Sequence, residues 1–280
     1  MVSYFLRFPG GKRNALTFSY DDGVAEDIRL VDIFRSHHMR ATFNICSGLF
    51  GPDDGIIPPG RKHRKLSRQE VLDLYTPDVC EVASHCVSHA FLSTCAIGSA
   101  CLEVIEDRKN LESLFGHQIH GFVYPNGAYN DAVVDMLKAA DIYYARTVIS
   151  TLNFDMPRDW LRMPATCHHK NPQLMELADT FLELIPRYEP KVFYVWGHSY
   201  EFADQDNWHV IEDFADKMAD KEDIWYATNM EIYTAWRDFT RLERSVDGTN
   251  IFNPGCRSVW IGDLKGNTYE IGPGQTVTLP

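Results

Sequence analysis

Two carboxylates and three histidines have the residue types and spacing for metal-assisted hydrolysis. Asp21 and Asp22 are adjacent in the run Ser-Tyr-Asp-Asp-Gly, and His85 and His89 lie four residues apart. Residues four apart on a helical turn share a face, so these two imidazoles could bind one metal ion. His198 directly follows an apolar run. Each feature alone is more often a turn or a structural histidine, so the hypothesis depends on all three occurring together.

The periodicity of apolar residues predicts the elements that hold these side chains. Strands are predicted over 15–20, 41–45, 79–84, 121–124, 142–145, 191–196 and 224–228. Helices are predicted over 25–37, 67–74, 101–115, 130–140, 172–184, 209–219 and 230–239. This alternation predicts βαβ units and a parallel sheet, and six or seven units in about 230 residues favour a closed or nearly closed barrel. The three motifs then lie at the carboxyl ends of strands, where a barrel gathers its active site.

Near Leu242 the sequence changes from alternating strand and helix patterns to short β-like runs separated by turns. Asp-Gly at 247–248 and Gly-Asn at 266–267 are turn signals between β-like runs, and a last such run covers 276–279. We therefore predict an α/β catalytic domain over 1–240 and a small β-rich appendage over 241–280. The appendage is too short to be stable alone.

Composition argues against several classes of partner. The 280 residues include 39 acidic and 27 basic side chains, which gives a net charge of −12. Duplex nucleic acid and anionic membranes both require a basic footprint, so neither is expected as a partner. The seven cysteines form no C-x-x-C pair, and no apolar run has the length of a signal peptide or a membrane span. We expect reduced thiols and a cytoplasmic protein, and the oligomeric state is not predicted.

The first two motifs resemble those of the polysaccharide deacetylase family, the NodB-homology domain of carbohydrate esterase family 4. The family's S/T-F-D-D-G is similar to the run at 19–23. Its H-S/T-x-x-H is similar to the segment from His85 to His89, with Cys86 at the hydroxyl position.

The later motifs extend the resemblance over about 12–235. The family's R-P-P-Y-G is matched by 123–127, which keeps only the second proline and the glycine, and a D-W motif is matched by Asp159-Trp160. His198 corresponds to the last motif. The resemblance implies an α/β fold, a distorted (β/α) barrel with six to eight parallel strands.

The resemblance and the chemistry together assign roles to the best-matched residues. Asp22, His85 and His89 would hold one divalent ion, zinc first, with Co²⁺, Ni²⁺ or Mn²⁺ as alternatives. Asp21 would be the general base that takes a proton from water. His198 would be the general acid that protonates the leaving nitrogen.

One departure from the family concerns the base. The family arginine that steadies it aligns with Val123, which carries no charge. Arg162 could replace that arginine and contact Asp21, the alternative being an ordinary surface arginine. Asp159 is counted with Arg162 among the candidate catalytic residues.

Candidate substrate contacts are residues that adjoin the motifs: Tyr124, Asn126, Trp160, His168 and Tyr200. A backbone N–H near Asn126 would complete an oxyanion hole. The aromatic rings could stack on sugars but are equally good core residues. His168 precedes a second histidine, and neighbours in extended chain point to opposite sides, so both cannot easily bind one ion.

Three interpretations of function follow. The first is a metal-dependent hydrolase that removes an acyl group, foremost acetyl, from an amide nitrogen of an N-acetylated sugar or polysaccharide. The second is an allantoinase-like C–N hydrolase that acts on a small cyclic or linear amide. The third, a non-catalytic carbohydrate-binding protein, is disfavoured because binding alone requires neither Asp21 nor His198.

Overall fold

The computed structural model describes residues 3–57 and 60–280. Its strands are β1 Tyr4–Arg7, β2 Asn14–Asp21, β3 Ala41–Ile45, β4 Cys80–Ser84, β5 Gly121–Val123, β6 Tyr144–Ser150, β7 Met163–Ala165, β8 Cys167–His168, β9 Lys191–Gly197, β10 Ile224–Tyr226, β11 Glu243–Arg244, β12 Asn250–Phe252, β13 Val259–Asp263, β14 Thr268–Ile271 and β15 Thr276–Thr278. Its α-helices are α1 Asp27–Ser36, α2 Arg68–Leu74, α3 Ile97–Phe115, α4 Asp131–Ala139, α5 Leu174–Leu182, α6 Tyr200–Asp204, α7 His209–Met218 and α8 Asn229–Thr240.

Strands β2 to β10 form one parallel sheet that closes on itself. On one side β2 pairs with β9 along most of its length, and on the other it pairs with β10 at its beginning and β3 at its end. The sheet continues from β3 through β4, β5 and β6 to β7. After one intervening residue the same segment becomes β8, which pairs with β9 and completes the ring. The predicted distorted (β/α) barrel is confirmed.

Two differences from the predicted elements bear on the site. The strand predicted over 142–145 is β6, which runs on to Ser150, and the closing segment that carries β7 and β8 was not predicted. That segment contains Pro164 and lacks an apolar run, so nothing in its sequence indicates a strand. The continuation of β6 places Arg146 inside the barrel, where its side chain is fully buried.

The alternation of side chains along β2 separates the core from the site. Phe18 packs against Phe34 of α1, with ring centroids 4.4 Å apart. Residues 19 and 21 point to the opposite face, into the barrel, because successive side chains of a strand alternate. There the Asn44 side-chain amide donates to Ser19 Oγ and to Asp21 Oδ1, both at 2.8 Å. The barrel interior is therefore polar where it reaches the predicted motif.

Two small antiparallel sheets lie outside the barrel. One contains β11, β12 and β15, and the other contains β1, β13 and β14. Through β1 the beginning of the chain joins the C-terminal strands, with Tyr4 opposite Asp263. The division of the chain at residue 240 remains a prediction. None of the helices in the described ranges combines the length and apolarity that a bilayer crossing requires.

Candidate active site

The predicted ligand group converges at the carboxyl ends of β2 and β4. One side-chain atom each from Asp22, His85 and His89 lies within 4.8 Å of the other two. Asp22 and His89 adopt positive φ angles, 86° and 60°, which cost non-glycine residues of order 1–3 kcal/mol each. Such conformations persist where the surrounding structure enforces them. One oxygen and two nitrogens are a donor set that suits zinc and related divalent ions.

Backbone and side-chain contacts fix the orientation of His85. Its Nδ1 donates to the Val123 carbonyl at 2.8 Å, which leaves Nε2 unprotonated and free to bind a metal. Burial lowers the pKa of His85 to about 4, so the ring is neutral near pH 7. Buried Asp107 accepts from Ser84 Oγ at 2.5 Å and from the His85 N–H at 3.1 Å. The strand end that carries His85 is therefore anchored before any ion binds.

Arg146 holds the carboxylate of Asp21. Its Nη2 donates to both oxygens of Asp21, at 2.6 and 2.5 Å, and its guanidinium lies 4.3 Å from the centroid of the Trp196 ring. Burial raises the pKa of Asp21, but the charge of Arg146, with smaller effects from His85 and His198, lowers it to about 2. Asp21 is thus an oriented carboxylate that is ionised throughout the neutral range.

The prediction that Arg162 contacts Asp21 is wrong. The Arg162 guanidinium binds Asp159 and Asp131, both at 2.6 Å, on the surface beside the start of α4. Asp159 also accepts from the backbone N–H of Leu161, so it caps a short 3-10 turn and holds Arg162 rather than serving the site. The cation on Asp21 comes from β6 instead.

His198 faces both carboxylates from the end of β9. Its Nε2 lies 3.8 Å from Asp21 Oδ2 and 4.0 Å from Asp22 Oδ2, while Nδ1 lies 3.5 Å from Glu201 Oε2. Burial lowers the pKa of His198, but contact with Glu201 and the charges of both aspartates outweigh burial and raise it. These contacts therefore stabilise the protonated form of His198, which is the form that a general acid requires.

Glu201 gathers three histidines, and sequence reasoning did not single it out. Its Oε2 lies 3.2 Å from Nε2 of His168 and 3.2 Å from Nε2 of His169, and Oε1 accepts from Lys170 Nζ at 2.7 Å. Burial raises the pKa of Glu201, but these groups and His198 hold it far below its ordinary value. The neighbouring histidines were expected to diverge, yet both reach this carboxylate because β8 ends at His168 and the chain turns there.

Gly197 is required by the packing of this cluster. A Cβ atom at residue 197 would lie 2.1 Å from Nδ1 of His169. The glycine before His198 therefore leaves room for the His169 ring, which also stacks on Phe202 with centroids 4.1 Å apart.

Two of the predicted substrate contacts are core residues. Tyr124 is 1% exposed and donates its hydroxyl to the Leu161 carbonyl at 2.7 Å. Trp160 is 6% exposed and packs between Tyr233 and Trp236, with both centroid distances 5.2 Å. Their rings are covered by protein, so neither can stack on a sugar, and the prediction is corrected at these positions.

The other predicted contacts lie around the site. Asn126 Nδ2 is 3.5 Å from His89 Nδ1, and the Tyr200 ring stacks on His63 at 4.8 Å and lies 5.1 Å from His198. Tyr200 and the ligand residues Asp22 and His89 line an open cleft of about 680 Å³. This cleft is where a substrate could reach the ligand group.

Part of the sequence matches a known protein family, and the fold is similar to that of several solved structures. Residues 7–145 match the model of the polysaccharide deacetylase family. No curated protein matches the sequence. A Mycobacterium smegmatis protein assigned to the polysaccharide deacetylases is 12% identical with a TM-score of 0.60, over 88% of this chain and 98% of that one. IcaB from Ammonifex degensii is 15% identical with a TM-score of 0.50, over 59% and 72%. At these identities the similarity shows a shared fold.

A third similar protein of known structure is longer than the part of it that this chain matches. The Streptococcus pyogenes deacetylase PplD, in complex with acetate, is 17% identical with a TM-score of 0.41, over 47% of this chain. The chain spans only 55% of the length of that protein. The family match at 7–145 contains the aspartate pair and both ligand histidines, and this segment belongs to the polysaccharide deacetylase family.

Proposed function

We propose that this protein is a metal-dependent hydrolase that removes an acyl group, foremost acetyl, from an amide nitrogen of an N-acetylated sugar or polysaccharide. The observation that carries the proposal is the pairing of an ionised carboxylate with a histidine whose pKa is raised. Asp21, held by Arg146, and His198, held by Glu201, face each other across 3.8 Å beside the ligand group.

Asp22, His85 and His89 would hold the ion, with zinc the first candidate and cobalt, nickel or manganese the alternatives. When bound, such an ion supplies a water of lowered pKa and a Lewis acid for the acyl oxygen. The neutral, oriented imidazole of His85 fits this role without any proton loss on binding.

Asp21 would take the proton of the attacking water. A carboxylate with a pKa of about 2 is a weak base, but it is always in the form that can accept. Its fixed position within the Arg146 and Asn44 contacts compensates, because an oriented acceptor loses little entropy at the moment of transfer.

His198 would deliver a proton to the leaving nitrogen. An amine anion is a poor leaving group, so C–N cleavage needs this protonation. At 3.8 Å the Nε2 atom is too far from Asp21 for a hydrogen bond, so its proton remains available to a substrate. Glu201 stabilises the imidazolium from the Nδ1 side until the transfer occurs.

One observation supports a second candidate, hydrolysis of a small cyclic or linear amide. Tyr124 and Trp160, two of the rings expected to bind sugars, are buried in the core. Tyr200 remains at the cleft, which offers less stacking surface than a polymer would use. The same base, acid and ligand group would serve either reaction.

The test begins with protein stripped by a chelator and reloaded separately with each of the four metals. We expect release of acetate from N-acetylated sugars, including N-acetylglucosamine oligomers and N-acetylmuramic acid, or hydrolysis of a panel of cyclic and linear amides that includes allantoin. Ring opening to a carboxylate reports on the cyclic amides, and released amine or ammonia reports on the linear ones. Acetate release would select the first candidate, and activity confined to the amides would select the second. Metal-loaded protein that hydrolyses neither class would refute both.

A further inference from the structure

The cleft beside the ligand group has the opposite charge to the chain as a whole. Its charged lining consists of three cations, two histidines and one carboxylate: Arg61, Lys62, Lys65, His63, His89 and Asp22. The whole chain carries 39 acidic against 27 basic side chains. A positively charged cleft wall in an acidic protein creates a local positive electrostatic potential where a ligand enters. The cleft therefore favours anions.

Lys65 is held in place rather than free on the surface. Its backbone segment bonds to the loop after β2, with Leu66 N–H on the Gly23 carbonyl at 2.9 Å and Ala25 N–H on the Arg64 carbonyl at 2.9 Å. Lys65 Nζ then donates to the Asp22 carbonyl at 2.5 Å and lies 3.1 Å from Asp22 Oδ1. The ammonium is therefore fixed beside the ligand group.

The single charge of Asp22 cannot neutralise both Lys65 and a divalent ion. Asp22 is the one carboxylate among the residues that line the cleft. Asp21, the neighbouring carboxylate, is already paired with Arg146. With an ion on Asp22, this side of the cleft would therefore keep excess positive charge, and a substrate anion would compensate it. A lysine beside a metal ligand would otherwise repel the ion. A bound anion would offset that repulsion and so would account for a lysine at this position.

Arg61 supplies a second cation at the cleft. Lys62 pairs with Asp204 at 2.5 Å, and His63 contacts Glu26 and Asp204, so carboxylates behind the cleft offset these two. Within residues 3–57 and 60–280, no ion pair involves Arg61. Arg61 thus has no such partner in the part of the chain that the structure describes, and Lys65 shares its partner Asp22 with the ligand group.

We propose that the substrate carries an anionic group, a carboxylate or a phosphate, which Arg61 and Lys65 bind while its acyl amide lies at the ligand group. This inference rests on the proposed function and narrows its substrate class to acidic N-acyl compounds. Arginine can bind such a group through two parallel N–H donors, and lysine acts as a point charge.

The binding test uses three amines that share one ring and differ in charge: glucosamine, glucosamine 6-phosphate and muramic acid. Calorimetric titration into metal-loaded protein should give at least about tenfold tighter binding for one anionic amine than for glucosamine, as a charge-assisted contact provides. Raising the salt concentration should reduce that preference. The better of the two anionic amines identifies the group as phosphate or carboxylate.

Variants localise the effect. Arg61→Gln should remove most of the anionic preference while leaving glucosamine binding within about twofold, and Lys65→Met should also remove most of the preference. Lys109→Gln, at an exposed lysine on α3, is the matched control and should keep the preference. Metal content and circular dichroism of each variant show whether it is folded and loaded, and Arg61→Gln provides the readout if Lys65→Met fails either check.

Hydrolysis of the three N-acetyl forms separates this inference from the proposed function. Equal or weaker binding of both anionic amines, with hydrolysis of the neutral form, would overturn the inference and keep the hydrolase. Preferential binding of an anionic amine without hydrolysis of any N-acetyl form would count against the hydrolase and support the anion site.

Discussion

The ligand half and the proton-transfer half of the site are built in different ways. Asp22, His85 and His89 come from two short motifs, and a backbone carbonyl orients His85. Asp21 and His198 each depend on a charged partner: Asp21 on Arg146, which lies 125 residues away in the chain, and His198 on Glu201, which also binds His168 and His169 from β8 and the turn after it.

This difference shows what each half needs. A ligand group requires only neutral imidazoles and a carboxylate at a common point, and backbone turns can provide that. A base and an acid also require their ionisation states to be set, which only nearby charges or burial can do. The second half is therefore the one that tertiary structure must complete.

The largest effect should come from the ligand half. We expect His85→Ala and His89→Ala to lose the bound metal and all measurable activity, because each removes one of three donors. Elemental analysis of the purified variants checks this. His117→Ala removes an exposed histidine outside the site and should keep both metal and activity. Full metal content in a variant with both substitutions would show that other residues bind the metal.

A smaller but still large effect should come from Arg146. Arg146→Met should keep the metal and reduce the rate by about 100-fold, the usual scale for disabling a general base. Without the Arg146 charge the pKa of Asp21 rises, so the acidic limb of the pH–rate profile should move to higher pH. Steady-state rates across pH, with metal analysis on the same samples, measure both effects.

Two variants make the Arg146 prediction specific. Arg162→Met removes an arginine whose partners are the surface residues Asp159 and Asp131, so the rate should stay within about twofold of the parent protein. Arg146→Lys keeps the charge but loses the planar guanidinium whose Nη2 contacts both oxygens of Asp21, and should retain an intermediate rate. Equal losses in Arg146→Met and Arg162→Met would contradict the assignment.

The sequence predicted the ligand group and most of the barrel because both have local signatures. Alternating strands and helices, and histidines four residues apart, can be recognised within short windows. Arg146 could not be assigned in this way. A charged residue normally ends an apolar strand, so the predicted strand stopped at 145, and only the pairing of β6 in the closed sheet shows that the arginine points at Asp21. A lone arginine within a β-prone run was the one available signal.

The aromatic residues illustrate the same limit. Tyr124 and Trp160 adjoin motif residues in the chain, but proximity in sequence does not determine which face a ring occupies. Trp160 begins a 3-10 turn that directs it toward α8, where it packs on Tyr233 and Trp236. Glu201 was missed for a related reason, since its importance comes from three imidazoles that only the fold brings together.

The smallest predicted effect concerns Glu201 and is a shift of pH dependence. His198 must be protonated to act as an acid, so activity should fall as pH rises through its pKa, on the basic limb of the profile. Contact with Glu201 helps to raise that pKa. Glu201→Gln removes the negative charge that contacts His198, Lys170 and the two other histidines. The pKa of His198 should therefore fall, and the basic limb should move to lower pH. At the parent optimum we expect a loss of about tenfold, with unchanged metal content. Glu212→Gln, at an exposed carboxylate paired with Arg29, is the control and should leave the profile in place. If the basic limb of Glu201→Gln stays where it is in the parent, the group that titrates there is not His198, and the acid must be sought elsewhere in the site.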